Sequence, residues 1–207
     1  MVHYKFTYFN GKGLGEVCRM IFALAGQDYE DVRVEFPDWP ALQPTTPFGK
    51  LPLLEEDGKV LAQSNTIARY LARKFGFAGK NAWEEAQVDS LVDQIVDFRT
   101  EVQKFFSAAF GFLQGEDIEK LKTEVLIPGV NKHLPFFTNF LKKSGSGFLV
   151  GNSVTYVDLG LAGFVNALQD KAPETLEAFP EIKAHSEKIL AIPNIKAWIE
   201  KRPVTAF

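Results

Sequence analysis

The chain has 207 residues, of which 46% are hydrophobic and 13% aromatic, with 19 phenylalanines. This composition is typical of a folded globular protein and excludes an extended disordered chain. The net charge is −3 with acids and bases interleaved, so no basic stripe is available to bind nucleic acid or an anionic membrane surface.

The first 78 residues alternate strand and helix patterns. Two strands flank an apolar helical run that Gly26 closes, and a hairpin with an Asp57-Gly58 turn comes next. Ser64 is predicted to cap the following helix. The order strand, helix, strand, hairpin, helix favours a thioredoxin-like α/β domain. Its predicted elements span residues 2–8, 16–25, 29–34, 51–54, 59–61 and 64–75.

After a linker at residues 79–82, residues 83–207 show only helical periodicity, which predicts an all-α C-terminal domain. Two prolines, Pro128 and Pro135, are expected to break or kink its second helix. Thr155 and Asp158 form a predicted capping box at the start of a buried helix. The predicted helices span residues 83 to about 111, 116–142, 159–168, 179–190 and 194–201.

The remaining composition bears on compartment and metals. Cys18 is the only cysteine, which excludes an internal disulfide and favours a reducing compartment. The chain begins in a strand pattern without a signal-peptide pattern, and no apolar run reaches the ~20 residues of a membrane span. We therefore expect a cytoplasmic protein. No His or Cys cluster has metal-ligand spacing, so we expect no metal.

Tyr8 stands at the end of the first strand, before the Gly-rich turn of residues 10–16. Most such aromatic residues are core. The alternative is chemical: a hydrogen bond to a charged group is worth ~1.5–3 kcal/mol, so a Tyr hydroxyl could lower the pKa of a bound thiol by ~1–2 units and populate the nucleophilic thiolate. The residues alone leave both interpretations open.

Several other positions also have both a structural and a functional interpretation. Pro52 indicates an edge strand, and Gln63 and Ser64 indicate a helix start, where free N–H groups can also bind a carboxylate. A loop Trp such as Trp39 more often covers the core, although its indole can donate a hydrogen bond. Lys50 and Asp97 are most simply interpreted as charged side chains exposed to solvent. Asp158 has a structural role whether or not the neighbouring residues bind a ligand.

The segments around these residues resemble the glutathione transferases, and their details resemble the sigma class. The resemblance covers essentially the whole chain and includes Tyr4–Glu16, Pro47–Leu54, Ala62–Leu71, Ser146–Asn152 and Trp198–Pro203. It implies an enzyme that conjugates glutathione, its co-substrate, to hydrophobic electrophiles. It also implies a homodimer in which Asp97 of one subunit reaches the glutathione bound to the other.

The resemblance assigns individual roles. Tyr8 would stabilise the glutathione thiolate, and a cis Pro52 would leave the backbone of Leu51 to pair with the cysteinyl unit. The implied glutathione-binding residues are Tyr8, Trp39, Lys50, Leu51, Pro52, Gln63, Ser64 and Asp97. The implied electrophile-site residues are Phe9, Leu14, Phe105, Phe106, Tyr156 and Phe207.

Two positions depart from the vertebrate sigma pattern, which has arginine in place of Leu14 and lysine in place of Gln43. The first change removes a side chain that supports the catalytic tyrosine, and the second removes a charge near the glycyl carboxylate. Invertebrate sigma-like members share such features. The alternatives to conjugation are a glutathione-dependent isomerase of the prostaglandin-synthase kind, and a non-catalytic carrier of haem or other hydrophobic ligands or a crystallin-like structural protein.

Overall fold

The structure is a computed structural model that describes residues 2–207. The chain forms two compact units: the described part of residues 1–77 together with 193–207, and residues 78–192. Residues 193–207 therefore group with the first unit, although the sequence analysis places them in the helical domain. The predicted domain limits, 1–78 and 83–207, stay a prediction.

The first unit is built on a mixed four-stranded sheet of order β2-β1-β3-β4. Strand β1 pairs in parallel with β2 and antiparallel with β3, and β3 and β4 form the predicted hairpin. This arrangement confirms the thioredoxin-like expectation. The elements of this unit are β1 (Tyr4–Phe9), α1 (Glu16–Ala25), β2 (Glu30–Val34), α2 (Trp39–Leu42), β3 (Leu53–Glu56), β4 (Lys59–Ala62), α3 (Ser64–Phe75) and α10 (Pro193–Lys201).

The inner strand β1 places alternate side chains in the core. Tyr4, Phe6 and Tyr8 are all buried, as the two-residue period of a strand requires. Helices α1 and α3 pack together and present the buried side chains of Ile21 and Ile67. Tyr8 pairs with Arg33 of β2 and follows directly on the residues of β1 that pair with β3, so its buried ring lies at the end of an inner strand.

Two local expectations in this unit are corrected. Trp39 does not lie in a loop: it is the first residue of α2, which follows directly on a 3-10 turn at Phe36–Asp38. Ser64 is the first residue of α3, and Gln63 occupies the N-cap position without a side-chain capping bond. Short helical turns rich in proline give too little periodicity to be recognised from the sequence.

The second unit is all helical, as predicted. The long helix expected up to residue 111 ends instead at Glu101, and after Val102 a separate helix begins. A π turn at Lys122–Leu126 precedes α7, Pro128 lies in the first turn of α7, where proline is tolerated, and Pro135 lies inside α7. The helices are α4 (Ala82–Glu101), α5 (Gln103–Ala109), α6 (Ile118–Leu121), α7 (Ile127–Ser144), α8 (Tyr156–Lys171) and α9 (Pro180–Leu190).

The predicted capping box is present at the start of α8, where Thr155 and Asp158 bond reciprocally. Asp158 is fully buried. Its carboxylate accepts hydrogen bonds from the Thr155 and Leu149 N–H groups, both at 2.8 Å, and from His185 Nε2 at 2.9 Å. This one side chain therefore joins the loop before α8 to α9.

Residues 2–207 contain neither a membrane-spanning helix nor a cluster of metal-binding side chains. None of the helices found there is long and apolar enough to cross a bilayer. Within the same residues, no group of three or more His, Cys, Asp or Glu side chains is placed to hold a metal ion.

Candidate active site

Tyr8 lies next to the turn that joins β1 to α1. Its hydroxyl oxygen accepts a hydrogen bond from the backbone N–H of Leu14 at 3.0 Å, and the residue is only 6% exposed. A phenol can accept one hydrogen bond and donate another. An N–H donor on the oxygen also withdraws electron density, which makes the hydroxyl a better donor. The Leu14 position therefore supports Tyr8 through its backbone, whatever side chain it carries.

The turn approaches the tyrosine so closely that Gly13 is required. Gly13 has φ of +38°, and a Cβ there would lie 2.7 Å from the Tyr8 hydroxyl oxygen. The Lys12 carbonyl accepts the N–H groups of Gly15 and Glu16 at 3.1 and 2.9 Å, which starts α1. The backbone of the Gly-rich segment therefore packs closely against the Tyr8 hydroxyl.

Arg19 is a residue of this site that sequence reasoning missed. Its side chain is fully buried, and the guanidinium carbon lies 5.6 Å from the ring centroid of Phe6 and 5.8 Å from that of Tyr8. It donates to the Gly11 carbonyl at 2.6 Å and to Asp31 at 3.0 Å. A buried cation needs such partners. Through the Gly11 carbonyl, Arg19 also stabilises the turn between β1 and α1.

Glu16 ties the same turn to the last part of the chain. The residue is 6% exposed, and its carboxylate accepts hydrogen bonds from Trp198 Nε1 at 2.7 Å and Arg202 Nη1 at 2.6 Å. The sequence signal for this cluster was Glu16 and Arg19, two charges three residues apart inside an otherwise apolar helix, a spacing that puts both on one helix face.

An aromatic wall extends from Tyr8. The Tyr8 and Phe9 ring centroids are 5.7 Å apart, and Phe9 lies 5.0 Å from Phe36 and 5.3 Å from Trp39. Phe36 in turn lies 5.9 Å from Phe207. The structure thus brings Tyr8, Phe9, Trp39 and Phe207 together in one unit, with Leu14 44% exposed on the turn beside them. Phe36, half exposed, was not predicted as a member.

The start of α3 has an unusual backbone. Gln63 has φ of 75° and ψ of 116°, a region that non-glycine residues rarely occupy and that costs ~1–3 kcal/mol. Ser64 follows as the first helical residue, and its carbonyl oxygen lies 3.8 Å from the Cys18 sulfur. Free N–H groups and the positive end of the helix dipole make this helix start suited to an anion.

Residues 43–52 form the remaining predicted segment. The Leu51–Pro52 peptide bond is cis, as the resemblance implies, and Pro52 is buried while Lys50 is exposed. The Gln43 amide donates to the Gly49 carbonyl at 3.2 Å. Gln43 therefore holds the turn next to Lys50 with a neutral side chain.

The other predicted residues lie in the second unit. Asp97 is exposed on α4. Phe105 and Tyr156 are buried within that unit, and the Tyr156 hydroxyl donates to Asp89. Phe106 is half-buried and packs on Phe105 with a centroid distance of 5.3 Å. The acceptor-site role of these rings stays a prediction, and the burial of Phe105 and Tyr156 adds no support to it.

Cys18 provides a first test of the packing next to α3. The thiol is fully buried, and burial raises its pKa to about 12. Since the thiolate is the reactive form, the folded protein should react with an aromatic disulfide reagent more than ~100-fold slower than a free thiol of pKa ~8.5. Release of the chromophore from folded and urea-unfolded protein measures the two rates. Equal rates would show that α1 and α3 do not enclose this sulfur.

Two family models match the sequence of this chain. The glutathione S-transferase N-terminal domain matches residues 4–73 and the glutathione S-transferase C-terminal domain matches residues 97–202. Among curated proteins, the chain is 55% identical to probable glutathione S-transferase 7 of Caenorhabditis elegans and 49% identical to glutathione S-transferase 1 of Ascaris suum, with all of both chains covered in each case.

Solved structures agree. The chain superposes on monomeric Na-GST-3 of the hookworm Necator americanus with a TM-score of 0.96 and 53% identity, covering 99% of this chain and all of that one. It superposes on a Nu-class enzyme of Haemonchus contortus with a TM-score of 0.92 and 49% identity over both whole chains. The family models, the whole-length relatives and the thioredoxin-like unit with its helical companion lead to one conclusion: the chain belongs to the glutathione S-transferase family and is a transferase enzyme.

Proposed function

We propose that this transferase uses Tyr8 to hold the glutathione sulfur as a thiolate, which attacks hydrophobic electrophiles. In substitution, the carbon–sulfur bond forms as the leaving group departs with its bonding electrons. When the thiolate adds to an activated alkene, the carbon–sulfur bond forms at one alkene carbon and the other carbon takes up a proton from solvent. The observation that carries the proposal is the 3.0 Å bond from the Leu14 N–H to the Tyr8 oxygen, because it orients the hydroxyl and strengthens it as a donor.

We assign the rest of the peptide to groups remote from sulfur. The γ-glutamyl carboxylate would bind at the N-terminus of α3 with Gln63 and Ser64, where the helix dipole favours an anion. The Leu51 backbone beside Pro52 would pair with the cysteinyl unit. The glycyl carboxylate would lie near Trp39 and Lys50, since an indole N–H and an exposed ammonium are both donors.

For the acceptor we propose the aromatic wall of the first unit. Phe9, Leu14 and Phe207 present half-buried or exposed apolar surface next to Tyr8. This apolar surface favours large apolar electrophiles. Phe105, Phe106 and Tyr156 remain candidate contributors from the helical unit.

We further propose a homodimer of a sigma-like class in the cytoplasm. The single, buried cysteine fits a reducing compartment. The similar hookworm structure is described as monomeric and the Haemonchus contortus structure as Nu-class, so both subunit number and class are open to direct test. Sedimentation of the purified chain decides the first.

The dimer proposal makes a prediction for Asp97, which is exposed on α4. If it reaches the glutamyl amine of glutathione in the other subunit, Asp97→Ala should weaken glutathione binding about 10–100-fold, as expected for loss of one charge-assisted contact worth ~1.5–3 kcal/mol, with folding unchanged. Titration calorimetry measures the affinity. Asp93→Ala, also exposed and one turn earlier on the helix, is the matched control and should bind normally. Equal affinities in the two variants would contradict the assignment.

One experiment separates conjugation from the alternatives. The protein should turn over glutathione with 1-chloro-2,4-dinitrobenzene. Affinity for a hydrophobic dye or haem should be measured in parallel without glutathione. Turnover with weak dye binding supports the proposal. Tight ligand binding without turnover would establish a carrier, and turnover confined to an endoperoxide substrate would establish an isomerase.

A further inference from the structure

The segment after α10 folds back onto the turn beside Tyr8. The backbone oxygen of Phe207 accepts the Lys12 N–H at 2.7 Å and the Thr205 hydroxyl at 2.9 Å. The Phe207 ring lies on Gly11 so closely that a Cβ at Gly11 would stand 2.1 Å from Cε2 of the ring. The contact is thus both a hydrogen bond and a close-packed ring.

The residue that Phe207 fastens leads directly to the Tyr8 hydroxyl. Lys12 is held by Phe207 through its N–H, and through its carbonyl it starts α1 by accepting the Gly15 and Glu16 N–H groups. Leu14 lies between Lys12 and Gly15 in this turn, and its N–H bonds the Tyr8 oxygen at 3.0 Å. Any shift of the Lys12 peptide therefore moves the donor that orients Tyr8.

We propose that the side chain of Phe207 positions Tyr8: by packing on Gly11, beside the Lys12 N–H that the Phe207 backbone oxygen accepts, the ring holds the turn in the conformation that aims the hydroxyl at the glutathione sulfur. This role is distinct from lining the acceptor site. It rests on the proposed function of Tyr8.

The test is Phe207→Ala, with the thiol pKa of bound glutathione as the main readout. That pKa is measured by ultraviolet thiolate absorbance without any acceptor, so a residue that only lines the acceptor site does not change it. We expect it to rise by about 0.5–1 unit, with turnover at neutral pH about 3–10-fold lower and glutathione affinity within about twofold of wild type. Val204→Ala, fully exposed in the same segment, is the matched control and should match wild type.

Gly11→Ala tests the same contact from the other side. Its backbone lies outside the left-handed region, and the three shortest contacts that a Cβ there would make are all with the Phe207 ring. The added methyl should displace the ring and reproduce the rise in thiol pKa. Because Phe207→Ala removes the clash, the double variant should be no worse than Phe207→Ala alone, a non-additivity that marks two residues acting through one contact.

Several outcomes overturn the inference. A wild-type thiol pKa in Phe207→Ala, or effects of the two substitutions that simply add, would show that the packing of the Phe207 ring on Gly11 does not position Tyr8. Urea unfolding of each variant checks that both remain folded, and a parallel loss of stability and activity in both would also count against a positioning role. If wild-type protein itself binds no glutathione, the proposed function fails instead, which separates the two failures.

Discussion

Tyr8→Phe should lower turnover about 10–100-fold, because the thiolate loses a hydrogen bond to a charged group worth ~1.5–3 kcal/mol. The ring still fills its place in β1, so the fold should be unchanged. The groups assigned to the rest of the peptide lie at α3 and around Trp39, so glutathione affinity should be almost unchanged. The thiol pKa of bound glutathione should rise by ~1–2 units in step with the loss of turnover.

The Leu14 backbone bond sets the expected size of this effect. Because the N–H of Leu14 already supports the Tyr8 oxygen at 3.0 Å, the absence of an arginine side chain at this position should not abolish activation. Leu14→Ala keeps that N–H and is the control: it should preserve the thiol pKa. If Tyr8→Phe retained wild-type turnover and thiol pKa, Tyr8 would be a core aromatic. A backbone amide or Asn10 would then be the better candidate for holding the thiolate.

Asp158→Ala should destabilise the protein by about 3–5 kcal/mol, the range for breaking a buried, hydrogen-bonded polar cluster. The substitution leaves the N–H groups of Leu149 and Thr155 and the Nε2 of His185 without their shared acceptor. Whole domains have only ~5–15 kcal/mol of stability, so the urea midpoint should fall markedly. Folding, not chemistry, should limit this variant.

Two further variants calibrate the Asp158 prediction. Asp158→Asn keeps one acceptor oxygen and should lose less than the alanine variant. Asp93→Ala, exposed on α4, should change stability by no more than ~0.5 kcal/mol. A loss below ~1 kcal/mol in Asp158→Ala would show that water replaces the carboxylate and that the capping box has little weight in stability.

The sequence determined the larger features of this protein because they depend on local pattern. Alternation and turn residues sufficed for the sheet of the first unit and its hairpin, and helical periodicity for the second unit. The capping box at Thr155 and Asp158 could also be predicted from the sequence, because its two residues lie three positions apart in the chain. The order of motifs around Tyr8, Pro52 and Ser64 was enough to indicate the family, which the comparisons confirmed.

Boundaries that depend on packing were not determined in this way. The predicted long helix passes over Val102, where α4 ends, because apolar residues continue at helical spacing on both sides of the break. The helical pattern of residues 193–201 likewise does not indicate which unit it joins. That choice follows from Trp198 and Arg202 meeting the buried Glu16, about 180 residues earlier.

The surroundings of Tyr8 show the same division. A hydroxyl at a strand end before a Gly-rich turn is visible in the sequence, but its partners are not. The tertiary structure alone shows that the Leu14 N–H bonds the Tyr8 oxygen, that the buried Arg19 guanidinium lies against the Tyr8 ring, and that the Phe207 ring packs on Gly11. Sequence patterns report which face of an element is apolar, whereas a backbone donor, a buried cation and a contact between the two ends of the chain are fixed only once distant segments pack together.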